Sequence, residues 1–289
     1  MHRHNSSSPC WLSAAVVAMV LTTAGCHWKN PAERAATPIL EKNAVARGGR
    51  DAWRAVKSMS WSGKLDAGKR RDEAKLAMAY LRPRSELRAE ARRALAHADR
   101  PPPEPTIELP FVLEMERPRK TRLEIRFQGQ TAVQAYDGEH GWKLRPFLGR
   151  HEVETYTAEE LRLASQQTDL DGPLMDYAAK GNRVELVGTE PVEGRDAYRL
   201  KVTSPDGQSR NVWVDTETLL DVKLDGTRRL DGKARPVWTY FRDYKSVDGL
   251  MIPHLLETAV EGIPGSEKIR IDHVVVNPKL DRERFAKPD

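Results

Sequence analysis

The chain has 289 residues, of which 39% are hydrophobic and 31% charged, with 7 Trp, 7 Tyr and 5 Phe. Such a composition excludes a disordered chain and a multi-span membrane protein. The formal net charge is a modest +5, and the 2 cysteines, Cys10 and Cys26, are too few for a Cys-rich zinc site.

The first segment reads as an address. Met1–Pro9 carries Arg3 and no acid, Trp11–Leu21 is a short apolar run, and Ala24-Gly25-Cys26 follows. This tripartite layout is that of a secretory signal, too short to span a bilayer comfortably. The small residues before Cys26 resemble a bacterial lipobox, although Thr23 stands where Leu is usual. The resemblance implies a signal peptide over 1–25 and a diacylated Cys26 as the new N-terminus. Cys10 would leave with the leader, so the mature chain would have no internal disulfide. Residues 26–37 then read as the lipidated Cys and a tether. His27, where Asp would mean inner-membrane retention, implies an outer-membrane anchor in a Gram-negative bacterium, with the body facing the periplasm. The membrane is thus one partner, through the N-terminal lipid. Nucleic acid is not expected for an exported chain without an aromatic-spaced basic motif.

The domain is expected over 38–289. Pro38–Trp53 has helical spacing, with Ile39, Leu40, Val45 and Trp53 apolar and a break at Gly48-Gly49. Arg82 to Arg100 form a basic stretch interleaved with Glu86, Glu90 and Asp99, either a field for anionic lipid or a solvated face. Pro101-Pro102-Pro103-Glu104-Pro105 marks 92–110 as a Pro-rich insertion that cannot be a central strand. From Met59 onward, the insertion apart, the period is two. Leu123, Ile125 and Phe127 alternate with Arg122, Glu124 and Arg126. Tyr198, Leu200 and Val202 alternate with Arg199, Lys201 and Thr203, and Leu220, Val222 and Leu224 do the same further on. Asp-Gly pairs at 137–138, 171–172, 206–207, 225–226, 231–232 and 248–249 suit tight hairpin turns. Thr157–Lys180 interrupts the strands. Thr157 with Glu160 forms a capping box and Asp171-Gly172-Pro173 divides the segment, so two inserted helices are expected over 157–180.

About ten antiparallel strands with one apolar face must cover that face. A mainly β (α+β) fold follows: a curved antiparallel half-barrel, capped by the N-terminal and inserted helices. The cup would be filled either by its own side chains or by a ligand. Aromatics on the strands or adjoining turns, Trp61, Tyr80, Trp142, Phe147, Tyr198, Trp213, Trp238 and Tyr240 among them, serve either purpose.

Several segments together resemble the outer membrane lipoprotein-sorting proteins related to the LolA/LolB carriers. They are Ala46-Arg47-Gly48-Gly49 with Trp53, Ala135-Tyr136-Asp137-Gly138 with Gly141-Trp142-Lys143, Asp171-Gly172-Pro173-Leu174-Met175-Asp176-Tyr177, and Asp243-Tyr244-Lys245-Ser246-Val247-Asp248-Gly249-Leu250. The likeness runs over about 38–287, with the insertion matching poorly. It implies a half-barrel whose cavity holds lipoprotein acyl chains or another lipid. On that basis Trp61, Trp142, Trp238 and Tyr240, with Leu123, Ile125, Phe127, Tyr198 and Leu200 from the alternating strands, are the candidate apolar lining. Leu161, Leu163, Leu174, Met175 and Tyr177 are the candidate lid.

No catalytic constellation stands beside them: there is no Gly-x-Ser-x-Gly elbow, P-loop or dinucleotide fingerprint. His140, His151, His254 and His273 are isolated, so no catalytic residue, metal or cofactor is expected. The favoured reading is a non-enzymatic lipid binder at the outer membrane. The alternative is a periplasmic sensor or scaffold of the same fold that binds a partner protein.

Overall fold

The computed structural model describes residues 29–69, 106–146, 149–167, 169–230 and 233–288. The leader, Cys26, Tyr80, Phe147 and residues 92–105 of the insertion lie outside them.

The chain enters through α1 (Pro31–Ala46). The Asn30 side chain accepts from the Glu33 N–H at 2.8 Å, and the Glu33 carboxylate accepts from the Asn30 N–H at 3.0 Å. This reciprocal cap, with Pro at the first helical position, starts the helix earlier than apolar spacing suggests. The expected tether is therefore helical from Pro31 onward, and Pro38 lies inside the helix. The Gly48-Gly49 break is where the spacing puts it, followed by α2 (Arg50–Ala55). Gly48 has φ +108, and a Cβ there would lie 2.3 Å from the Gly249 carbonyl oxygen. Only glycine lets the helix joint touch the Asp248-Gly249 turn, so two distant segments of the family-like pattern meet here.

Thirteen strands form one antiparallel sheet, more than the ten or so expected. They are β1 (Ser58–Lys69), β2 (Thr106–Glu116), β3 (Lys120–Phe127), β4 (Gln130–Tyr136), β5 (Gly141–Arg145) and β6 (Arg150–Thr155). After α3 (Ala158–Gln167) come β7 (Arg183–Val192), β8 (Arg195–Thr203), β9 (Ser209–Asp215), β10 (Asp221–Leu230), β11 (Lys233–Val247), β12 (Leu250–Val260) and β13 (Ser266–Val276). The spatial order is β6-β5-β4-β3-β2-β1-β13-β12-β11-β10-β9-β8-β7. The first strand thus pairs with the last, and among the described residues β6 and β7 are the two edges of an unclosed sheet.

Three local expectations are corrected. The end of the insertion is strand: Pro110 lies in β2 beside Lys64, outside the ladder to β3, which starts at Phe111. A proline there costs no hydrogen bond on that side. Asp225-Gly226 lies inside β10, where the Asp225 carboxylate accepts from the Asn211 backbone and side chain at 2.5 and 2.6 Å. Residues 170–181 form successive turns and not a second helix, with positive φ at Gly172 (+71) and Asp176 (+50). Left-handed residues break the helical repeat. The Asp-Gly pairs at 137–138, 206–207 and 248–249 do connect strands, and the pair at 231–232 lies outside the described residues.

Candidate functional site

Residues paired across antiparallel strands share a face, so the register sorts side chains. One row reads Val274, Trp61, Leu113, Leu123, Gln134 and Lys143 from β13 to β5. The row beside it reads Ile271, Gly63, Phe111, Ile125 and Ala132. The helices pack on this same face. The sheet curls toward it: Arg228 on β10 reaches Glu267 on β13 at 2.9 Å, although three strand spacings in a flat sheet amount to about 14 Å. This is the concave face.

It has three zones. Over β7–β9, Ala36, Ile39 and Leu40 of α1 pack with Leu174, Leu200, Val212 and Val214 into a solid core. Over β1 and β12, Ala44 and Trp53 pack with Met59, Met175, Leu250 and Ile252. In the third zone Leu65, Leu109, Phe111, Ile125 and Ile271 are buried against strand side chains, and no described helix residue joins them. The bordering Trp61, Leu113, Leu123, Phe127 and Leu256 stay half-buried. That zone is an apolar strip whose buried cluster contains no described helix residue, and its members Trp61 and Val274 also pack on the second zone, where α1 and α2 lie.

The sequence-derived lining divides accordingly. Trp61, Leu123, Ile125 and Phe127 belong to the strip. Tyr198 and Leu200 are on the right face but packed beneath α1. Trp142, Trp238 and Tyr240 are on the opposite, convex face. Trp142 pairs with Ala135, in register with Arg122 and Glu114. Tyr240 pairs with Lys223 and Trp238 with Asp225, in register with Trp213, whose neighbours Val212 and Val214 point inward. On that outer side the Lys223 ammonium sits 4.4 Å from the Trp213 ring centre, 5.6 Å from Tyr240 and 5.9 Å from Trp238. Alternation identifies two faces, but not which of them a curved sheet turns inward.

The proposed lid divides too. Leu161 and Leu163 are half-buried on α3. Leu174 and Met175 are core residues, 3% and 1% exposed. Tyr177 packs on the first zone and its hydroxyl accepts from Lys29 at 3.2 Å. Of the two parts of the expected lid, only α3 lies outside the packed interior; the turns belong to the core.

Where the strip reaches β5 it becomes polar. Lys143, nearly buried, donates to both carboxylate oxygens of Glu160 on α3 at 2.5 and 2.8 Å. Arg145, two residues on and on the same face, pairs with Glu154, which also accepts from Arg150 at 3.1 Å. Glu160 in turn accepts from the Thr157 N–H at 2.7 Å, closing the capping box expected there. Burial works to raise the Glu160 carboxyl, but Lys143 and the Thr157 N–H outweigh it and hold it below the usual range. At the other side Glu159 lies 4.0 Å from Arg229 of β10. The first turn of the helix is therefore tied mainly to β5, with a looser, exposed ion pair to β10. Lys143 and Arg145 were not singled out in the sequence. The signal was their alternation with Trp142 and Leu144, read with the aromatic inward.

A buried polar knot fixes the other helices. Asn43 donates to Asp221 at 2.9 Å, Arg47 lies 3.5 Å from the same carboxylate, and Arg47 also donates to the Asp171 carbonyl at 2.9 Å. Asp171 accepts from Lys180 at 2.5 Å and Arg117 at 3.0 Å. Every partner is a helix, strand or turn of the scaffold, so this knot positions the cover. Among the described residues no three His, Cys, Asp or Glu side chains gather as a metal site.

No family model matches the sequence, and no curated protein does. Solved structures do match. A LolA superfamily protein of Nitrosomonas europaea aligns at 12% identity and TM-score 0.52, over 87% of this chain and 97% of that one. A DUF1329 family protein of Desulfovibrio piger aligns at 12% and 0.51, over 86% and 96%. A domain from Vibrio parahaemolyticus described as an outer membrane lipoprotein-sorting protein aligns at 11% and 0.50, over 88% and 97%. The chain has the LolA-like fold over nearly its whole described length.

Proposed function

We propose that the protein holds an acyl chain, of a lipoprotein or another lipid, on its concave face and transfers it without covalent chemistry. The observation that carries this reading is the half-buried apolar strip running through Leu113, Leu123 and Phe127, whose buried cluster holds no described helix residue, with Trp61 bridging to the helix-covered zone. Burying a chain there removes apolar surface from water on both partners, at about 25 cal/mol per Å². The fold of the sorting-protein neighbours supports the same class. Acylation of Cys26 would hold the cup at the outer membrane, facing the periplasm, and makes an acceptor a better fit than a free shuttle. Radiolabelled palmitate should enter the wild-type protein and not Cys26→Ser; no label in either removes the anchor.

Mass spectrometry of lipids extracted from the purified mature protein tests the central claim. An acyl-bearing lipid in roughly stoichiometric amount is expected. Neither co-purified lipid nor uptake of an uncharged apolar fluorophore would overturn it.

A second reading rests on the convex face. Trp238 and Tyr240 beside Lys223, laid over the buried Trp213 and flanked by Arg199 and Arg242, have the aromatic and arginine content of a protein interface. A partner protein bound there would make the chain a sensor or scaffold. Trp238→Ala losing a partner while lipid uptake stays intact would favour it.

A further inference from the structure

Resting on the lipid reading, we propose that the occupant is a single-chain lipid with an anionic head, and that Lys143 receives that head in place of Glu160. The argument begins with the row from Val274 to Lys143. It crosses six neighbouring strands, so its length is about 24 Å before curvature shortens it. That is the reach of one long acyl chain lying across the strands, with its tail on Val274, Trp61, Leu113 and Leu123. Its polar end then falls at Gln134 and Lys143. The adjacent row carries Gly63, with no side chain, beside Phe111 and Ile125. A Cβ on Gly63 would lie 2.0 Å from the Arg270 carbonyl oxygen, and Phe111, Ile125 and Ile271 are buried, so that row is already filled and the strip has width for one chain and not a pair.

The head group follows from what Lys143 needs. Its side chain is 10% exposed, and among the described residues its hydrogen bonds go to Glu160. Glu160 belongs to α3, the helix that covers the polar end of the row. A chain entering the strip lifts that helix and takes Glu160 away. A buried ammonium left without a counter-charge is strongly unfavourable. An anion in the incoming head replaces the carboxylate like for like, whereas an uncharged or zwitterionic head does so poorly. Arg145, already held by Glu154, flanks the same position and adds positive potential. Glu160 is thus both latch and competitor: it keeps Lys143 paired when the cup is empty and yields to the ligand.

The test is displacement of N-phenyl-1-naphthylamine, an uncharged probe, from the whole protein. Palmitate is compared with hexadecanol, and lysophosphatidylglycerol with lysophosphatidylcholine. Palmitate is expected to displace the probe at a concentration at least about tenfold lower than hexadecanol, a difference of about 1.4 kcal/mol. A preference in the carboxylate pair, the phosphate pair or both supports the proposal and tells which acid the head carries. Lys143→Met should erase the preference for palmitate over hexadecanol. Glu160→Gln keeps the helix cap, since Gln serves at that position. It should make palmitate several-fold more effective, and it decides the matter if Lys143→Met does not fold. Equal displacement by charged and uncharged lipids in the wild type, or an unchanged palmitate value in Glu160→Gln, overturns the anionic head while lipid binding stands. Failure of the probe and of every lipid to bind overturns the lipid reading itself.

Discussion

Two phenylalanines separate filled from unfilled parts of this protein. Phe285 sits in the 3-10 turn Arg282–Phe285 and is 1% exposed, on the convex side of β3 and β4. Arg284 beside it donates to Glu114 at 2.6 Å and to Glu124 at 3.1 Å, so the charged face of β3 is half covered and not simply wet. Phe285→Ala opens a closed site and is expected to cost about 3–5 kcal/mol in denaturant unfolding. Phe127, half-buried at the strip, is expected to cost only about 1–2 kcal/mol in the delipidated protein. Equal losses would mean that the strip is packed solid. The period of two along Thr121–Phe127 made the pairing of Leu123, Ile125 and Phe127 legible without coordinates. Trp142, Trp238 and Tyr240 were misplaced because an aromatic suits either face of a sheet.

At the scale of elements, caps decide where helices begin and how firmly they hold. Asn30→Ala removes one half of the α1 box and should lower stability by about 1 kcal/mol, seen as a shift in the unfolding midpoint without a change of slope. The same motif at Thr157 and Glu160 was read correctly in the sequence, whereas the one at Asn30 was passed over for an apolar run that starts later. The α3 latch carries a pH dependence. Glu160 is held below the usual carboxylate range in the folded protein. Its contribution is therefore present above the ordinary Glu value and is lost as pH falls through the lowered one. Uptake of an uncharged probe should quicken at that acid end in the wild type and lose this dependence in Glu160→Gln. The segment 170–181 shows the limit of composition: Leu174 and Met175 suit an amphipathic helix, but positive φ at Gly172 and Asp176 turns them directly into the core.

Across the whole molecule, β13 is the keystone. It pairs with β1 on one side and β12 on the other, joining an arm of β1–β6 to an arm of β7–β12. Ending the chain at Gly265 removes that ladder and leaves two half-sheets without a shared hydrogen-bonded seam. Loss of a single cooperative thermal transition in circular dichroism is expected. The knot of Arg47, Asp221 and Asp171 ties the helix joint to β10 and to the inserted turns, so the cover and both arms depend on one another.

Period-two alternation, Asp-Gly turns and capping residues are local, and they determined on their own that this chain is an antiparallel sheet with helices to cover it. Their physics acts between near neighbours, so one sequence suffices to read it. The pairing of β1 with β13, the inward face of each strand and the meeting of Lys143 with Glu160 were decided only by the tertiary structure. Those depend on how far the sheet curls, a sum of small twists over thirteen strands that no single segment carries.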